Sequence, residues 1–295
     1  MKIGYYPGCT LKSRAKNLED SALASLAALG FEAEELPRWN CCGAVFSLAN
    51  DDLIHHLAPV RDLIRAKDAG HERIITLCSM CYNTLARANL LMKEDEEKRK
   101  TLNLFMEEES DYFGEVEVIH YLDFLRRELG WEKLKAAVKK PLEGLRVAPY
   151  YGCTLLRPRE VAIESPDLPT MFSDFLRALG AEPVMFPEST ACCSSYQIIA
   201  NESAAFEASA KILRAATAVS ADALAMSCPV CEYNLGRRQD DIRAKHEGVG
   251  ELPTFYFTQL LAVALGLPQK TLGLQLNEAS SLELLKKKSY LTVSA

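Results

Sequence analysis

The residues that could do chemistry are the cysteines, and the chain has ten. They fall into two sets of five: Cys9, Cys41, Cys42, Cys78 and Cys81, then Cys153, Cys192, Cys193, Cys228 and Cys231. Each set is a single cysteine, an adjacent pair and a C-x-x-C. The gaps hold 31 and 35 residues in the first set, and 38 and 34 in the second. No cysteine falls outside this scheme. The start, Met1 to Tyr6, has neither the charged n-region nor the apolar h-region of an export signal, so the expected location is cytoplasmic. In a reducing compartment, clustered cysteines read first as metal ligands, with disulfides as an alternative.

Five thiolates at one point narrow the choice of metal. Zinc takes four ligands in a tetrahedron, so one cysteine would be spare. A cubane iron–sulfur cluster also takes four, and its compact C-x-x-C-x-x-C run is absent. Adjacent side chains diverge, which makes a vicinal Cys-Cys awkward for a cube. It suits a cluster in which cysteine sulfur bridges irons. A C-x-x-C at a strand-to-helix turn also offers helix N-terminal N–H groups to thiolate and sulfide charge. On spacing alone, iron–sulfur, zinc in at least one half and disulfides all stay open.

These ligands need a scaffold, and the sequence repeats one. Gly8-Cys9-Thr10-Leu11 matches Gly152-Cys153-Thr154-Leu155 at an offset of 144. Ala28-Leu29-Gly30 matches Ala178-Leu179-Gly180 at 150, the vicinal pairs match at 151, and the C-x-x-C pairs return to 150. Leu125 and Gly130 pair with Leu261 and Gly266 at 136, because an extra charged, helix-like stretch from about Lys93 to Glu115 occurs only in the first half. The expected domains are residues 1–143 and 144–295, two homologous halves. Lys2–Tyr6 and Leu145–Tyr151 read as strands, as do Arg73–Leu77, Ala223–Ser227 and Val116–Ile119. Leu18–Leu29 and Leu168–Leu179 have helical spacing and stop at glycines. The implied fold class is α/β, with parallel-sheet βαβ cores related by pseudo-twofold symmetry and sites at the carboxyl ends of the strands.

The whole composition excludes several functions. In 295 residues, 48% are apolar and 25% charged, as in an ordinary globular protein. The net charge of −6 argues against nucleic acid or an anionic membrane as the main partner. Apolar runs such as Leu260–Leu267 are far too short to span a bilayer. No G-x-G-x-x-G or Walker loop is present, so nicotinamide, flavin and ATP are not expected on this chain.

The pattern Cys-x31-Cys-Cys-Gly-x34-Cys-x-x-Cys resembles the cysteine-rich CCG domain. Two such domains in tandem resemble the B subunits of the heterodisulfide reductases, over nearly the whole chain to about Leu267. Pro7-Gly8-Cys9, Tyr150-Tyr151-Gly152-Cys153, Arg157-Pro158 and His120-Tyr121-Leu122 fit the resemblance. It implies two non-cubane [4Fe–4S] clusters, each bound by one set of five cysteines, and reductive cleavage of a disulfide between them. It also implies two partner subunits of the same complex, one iron–sulfur and one flavin-containing, with zinc in one half as the other metal reading. CCG domains occur as well in electron-transfer subunits of quinone- or thiol-linked glycolate, succinate and fumarate enzymes. Two departures stand out. Ser194 replaces the motif glycine after Cys193, expected to strain or reshape that loop. Thr154 follows Cys153, where methanogen members tend to carry histidine; this points to a different disulfide or a bacterial homologue.

Other residues have plainer expectations. His120 reads as a capping or packed histidine rather than a proton shuttle. His55 and His56 read as surface or boundary residues of an amphipathic helix. Lys12 and Arg157 could face an anionic group or lie on the surface. Asn50 and Asn201 read as helix N-caps. Lys93–Lys100 reads as a solvated helix face, and the tail from Pro268, with Lys286–Lys288, as a docking element or surface.

Overall fold

The structure is a computed structural model that describes residues 1–44 and 53–291. It contains two parallel four-stranded sheets of the same topology. The first has strands β1 (Lys2–Tyr5), β2 (Glu32–Glu35), β3 (Arg73–Thr76) and β4 (Glu117–His120), in the order β2-β1-β3-β4. The second has β5 (Arg146–Pro149), β6 (Glu182–Pro183), β7 (Ala223–Met226) and β8 (Thr254–Tyr256), in the order β6-β5-β7-β8. Ile74, Ile75, Leu224 and Ala225 in the central strands are fully buried, as expected where helices cover both faces of a parallel sheet. The fold class read from the sequence holds.

The helices deliver the site. α1 (Lys16–Ala28) follows Cys9, and α2 (Leu57–Asp68) precedes β3. α3 (Ser79–Glu94) starts at Cys78, and α4 (Glu96–Phe105) forms the extra charged segment. α5 (Tyr121–Phe124) leaves β4 and ends in a π-turn over Leu125–Leu129. α6 (Trp131–Ala137) leads to the second half, where α7 (Met171–Ala178), α8 (Gln197–Ala200) and α9 (Glu202–Ala218) follow. α10 (Pro229–Glu232) starts at Cys228 and continues as a π-turn to Arg237; α11 (Gln239–Lys245), α12 (Phe257–Ala264) and α13 (Ala279–Lys287) complete the chain.

The halves are joined reciprocally. α1 packs on α12, and α5 packs on α7, so the first helix of each half meets the helix that follows the fourth strand of the other. Ser21 Oγ lies 2.7 Å from Thr258 Oγ1, and Asn17 donates to Asn277 Oδ1 at 2.9 Å. Phe257 sits at the midline against His120, Tyr121, Phe172 and Phe175, with ring centroids 5.6–6.1 Å apart. Edge and tilted contacts of this kind add to the area these large side chains bury.

Several expectations are corrected here. Helical spacing from Leu168 overreaches: α7 starts at Met171, and Leu168 is 84% exposed. Pro169 keeps the residue before it out of the helical region, and Glu164 accepts the N–H groups of Thr170 and Met171 instead. His55 and His56 lie in a 3₁₀ turn ahead of α2 rather than within an amphipathic helix, His55 half-buried as a boundary residue and His56 buried. The tail is part of the second half: Leu285 is fully buried, and Lys288 reaches Gly144 O and Asp222. Lys12 is an internal counter-ion, 2.6 Å from both Glu19 and Glu35, rather than an anion site. Asn201 caps α9 as read, accepting from Ala204 N; Asn50 lies outside the described residues.

Candidate iron–sulfur site

Cys9, Cys78, Cys153 and Cys228 each follow the carboxyl end of a parallel strand, β1, β3, β5 and β7, so in each half the cysteines share one edge of the sheet. Cys78 and Cys228 are the N-caps of α3 and α10, in extended conformation and buried, so each thiol stands at the positive end of a helix turn. All ten cysteines are free thiols. In the first half, Cys9 Sγ lies 3.5 Å from Cys41 Sγ and Cys42 Sγ 3.5 Å from Cys81 Sγ. In the second, Cys153 and Cys192 are 3.7 Å apart and Cys193 and Cys231 3.5 Å. Within each vicinal pair the burial differs: Cys41 and Cys192 are exposed, whereas Cys42 and Cys193 are buried; in the first half the two thiols nevertheless interact with each other.

The two sets meet. Cys78 and Cys228 interact directly across the midline, and this contact is the largest cause raising the Cys78 thiol. Cys228 is held low by Cys231 and Cys78 together, and Cys42 by Cys41 and Cys81. Cys192 is lowered to about 6, chiefly by the Cys153 thiol, with a small contribution from Arg157. Thiolates are the metal-binding form, so the packing favours ligation by one member of these pairs.

Glycine and tyrosine shape each ligand loop. Gly8 and Gly152 have φ of +75° and +65°. A Cβ on Gly8 would lie 2.9 Å from Cys81 Sγ, and one on Gly152 3.5 Å from Cys231 Sγ. The repeated Gly-Cys therefore leaves room for the C-x-x-C sulfur. Tyr6 donates to Asn40 O at 2.7 Å, and Tyr150 to Ala191 O at 2.8 Å. In each half, the tyrosine three residues before the first cysteine ties down the residue before the vicinal pair. The sequence carried this signal as a repeated Tyr-x-x-Cys.

The motif serine behaves as the glycine it replaces. Gly43 has φ +72° and Ser194 φ +69°, and Ser195 follows at +48°. Two successive left-handed residues are costly for side chains bearing Cβ. Asn234 holds the loop by donating to Cys193 O at 2.9 Å and Ser195 O at 3.0 Å, a contact no motif announced. Ser194→Gly is expected to stabilise the metal-free chain by about 0.5–1 kcal/mol, the left-handed strain less the extra freedom of unfolded glycine. Gly43→Ser should destabilise it by a similar amount. Urea unfolding of both variants checks this.

His120 caps α5 through Leu122 N and faces Leu77 O. Burial pushes its pKa down to about 4, so it is neutral at ordinary pH and packed, as read. Tyr196, which the sequence did not single out, reaches from the second vicinal loop to the midline. Its hydroxyl is raised by burial and by Cys78, Cys228 and Cys9. With Thr10, Arg14, Ile199, Val230 and Tyr233 it lines a cavity of about 680 Å³ between the halves.

An all-cysteine donor set of this kind suits iron–sulfur chemistry. Among the described residues, no three His, Cys, Asp or Glu side chains gather as ligands of one metal ion; the thiols contact one another in sequence, Cys42 with Cys41 and Cys81, and Cys81 with Cys78. The hydroxyls of Ser79, Ser195 and Ser227 are buried near Cys78, Cys193 and Cys228 without a hydrogen-bond partner among the described residues, suited to hydrogen bonds with sulfur.

A cysteine-rich domain model, CCG, matches residues 3–86 and 147–236. The chain is 33% identical to the membrane anchor subunit of the 8-methylmenaquinol:fumarate reductase of Wolinella succinogenes, over 94% of this chain and 96% of that one. It is 31% identical to the B subunit of the ferredoxin/F420H2-dependent CoB-CoM heterodisulfide reductase of Methanosarcina acetivorans, over 97% and 96%. A hypothetical protein from Helicobacter pylori shares the fold, with a TM-score of 0.75 at 16% identity; the match covers 93% of this chain and 51% of that one. This chain thus spans about half of that protein. Among the described residues, no helix is long and apolar enough to cross a membrane.

Proposed function

This chain belongs to the family of tandem cysteine-rich CCG proteins that includes the B subunits of heterodisulfide reductases, and from that premise we propose that it is the catalytic iron–sulfur subunit of a heterodisulfide reductase-like complex. Residues 1–143 and 144–295 form its two domains. Cys9, Cys41, Cys42, Cys78 and Cys81 hold one non-cubane [4Fe–4S] cluster, and Cys153, Cys192, Cys193, Cys228 and Cys231 hold the other. When bound, the clusters supply single electrons, two of which, with two protons, turn a disulfide into two thiols.

The observation that carries this reading is the meeting of the two five-thiol sets at one edge, with Cys78 beside Cys228. The cavity between the halves gives a disulfide a place beside the cysteines: Thr10 follows Cys9, and Pro229 and Val230 lie between Cys228 and Cys231. Tyr196, Ile198, Ile199, Val230 and Tyr233 offer an apolar and aromatic wall to an extended thiol body. Arg237 and Arg238, which also line the cavity, are paired with carboxylates, Arg237 with the cavity's own Glu232, whereas exposed Arg14 has no ion pair among the described residues and gives the cavity a cationic end for an acidic arm. Electrons arrive from partner subunits of the same complex, one iron–sulfur and one flavin-containing, in the cytoplasm.

The fumarate reductase relative favours a second reading, an electron-transfer CCG subunit of a quinol-linked reductase. Disulfide reduction by the reconstituted chain with a low-potential viologen separates the two. Turnover with the viologen and none with NADH supports the reductase. Efficient NADH-driven turnover would contradict the dependence on partners, and no disulfide reduction with either donor would favour the second reading.

A further inference from the structure

The two vicinal cysteine loops are anchored differently. In the first half, Asn40, just before Cys41, has its side chain and backbone fully engaged. Its N–H donates to Asp62 Oδ1 at 2.8 Å, and its O accepts from Tyr6. Its Nδ2 donates to Cys41 O at 3.1 Å and Ala58 O at 3.2 Å, and its Oδ1 accepts from Arg65 at 3.3 Å. Arg65 in turn donates to Glu109 Oε1 through Nε and Nη2, at 3.1 and 2.8 Å. Arg61 and Arg38 add their charge to the same carboxylate at 3.6 and 3.8 Å.

Glu109 belongs to the extra segment that only the first half carries. That segment is itself fixed: Asn103 donates to Tyr112 O, Tyr112 donates to Asn89, and Ser110 donates to Asp68. In the second half, Ala191 stands where Asn40 does and has no polar side chain. At the offset of 150 that relates the C-x-x-C pairs, Ile212 and Ala215 replace Asp62 and Arg65. The second loop is held by Asn234 from α10's π-turn instead.

We propose that the first-half insertion clamps the Cys41-Cys42 loop through Glu109, Arg65 and Asn40, making Arg65 and Glu109 positioning residues for one cysteine set alone. That these cysteines are ligands rests on the reading above; the clamp itself does not. The insertion thus gives one half a control point that the other lacks. Anything that shifts the insertion moves one ligand pair and leaves its partner set in place.

The test uses the full-length chain before and after anaerobic iron loading. Cys42 and Cys193 are equally buried, so their alkylation by iodoacetamide, read by mass spectrometry, reports opening of each loop, with Cys193 as the internal control. Glu109→Gln, which strips the charge from the Arg65 pair, is expected to raise Cys42 alkylation about tenfold, and Arg65→Met, which removes all three Arg65 hydrogen bonds, by more. Cys193 should stay unchanged, and Arg65→Lys should restore part of the protection. Iron loading should fall only in the first half, seen as a lower content in a Cys193→Ser background. Equal acceleration at both cysteines, or none in the mild Glu109→Gln variant, overturns the clamp. A chain that binds no iron yet shows the selective acceleration would overturn the cluster reading and leave the clamp standing.

Discussion

Replacing Cys42 or Cys193 by serine is expected to lower the disulfide-reduction rate about 100-fold or more in either single variant. Both side chains point inward, 3.5 Å from the second cysteine of their own C-x-x-C. Serine is a harder, poorer ligand for iron than thiolate, so under the proposed two-cluster reading each variant is expected to lose the cluster of its own half. The other half keeps its sheet, helices and five thiols. If both halves act on one disulfide, the double variant should be little worse than either single one, because groups acting as a unit are not additive. Rates with a viologen donor, measured beside iron content, check this. Substantial activity in a variant whose cluster is gone would mean that one half is a relay or scaffold.

The second large effect comes from the glycines before the first cysteines. Alanine at Gly8 or Gly152 meets a left-handed backbone that costs about 1–2 kcal/mol. Only Gly8→Ala adds a methyl 2.9 Å from a sulfur, that of Cys81, whereas Gly152→Ala places one 3.5 Å from Cys231. Carbon cannot approach sulfur at 2.9 Å, so Cys81 must leave its place. Gly8→Ala should therefore lose about half of the bound iron, together with disulfide reduction. Gly152→Ala should keep most of both and lose only stability. Iron analysis and thermal unfolding of the pair distinguish the steric effect from the backbone effect.

Much of this was legible before any coordinates. The five-cysteine sets and their offsets located the duplicated halves, and strand-then-cysteine order placed Cys9, Cys78, Cys153 and Cys228 at strand ends. The departure at Ser194 was readable as a backbone demand, and its φ matches that of Gly43. What stayed hidden depends on residues distant in sequence. Nothing local to Asn40 says that Arg65 and Glu109 hold it, because the partners come from a helix and an insertion. Asn234 looks like any helix asparagine until its loop is folded against it. The exchange of α1 and α7 between halves was equally hidden, since amphipathic spacing shows that a face is buried without naming what covers it. Leu168 misled for a local reason: its apolar spacing continues that of α7, but Pro169 breaks the helix.

What the two cysteine sets hold is measured most directly by anaerobic reconstitution followed by iron, acid-labile sulfide and zinc analysis per chain. Two four-iron clusters predict about eight irons and eight sulfides with negligible zinc. Four irons, or one zinc per half with little iron, would contradict the pairing of two equivalent clusters at this edge.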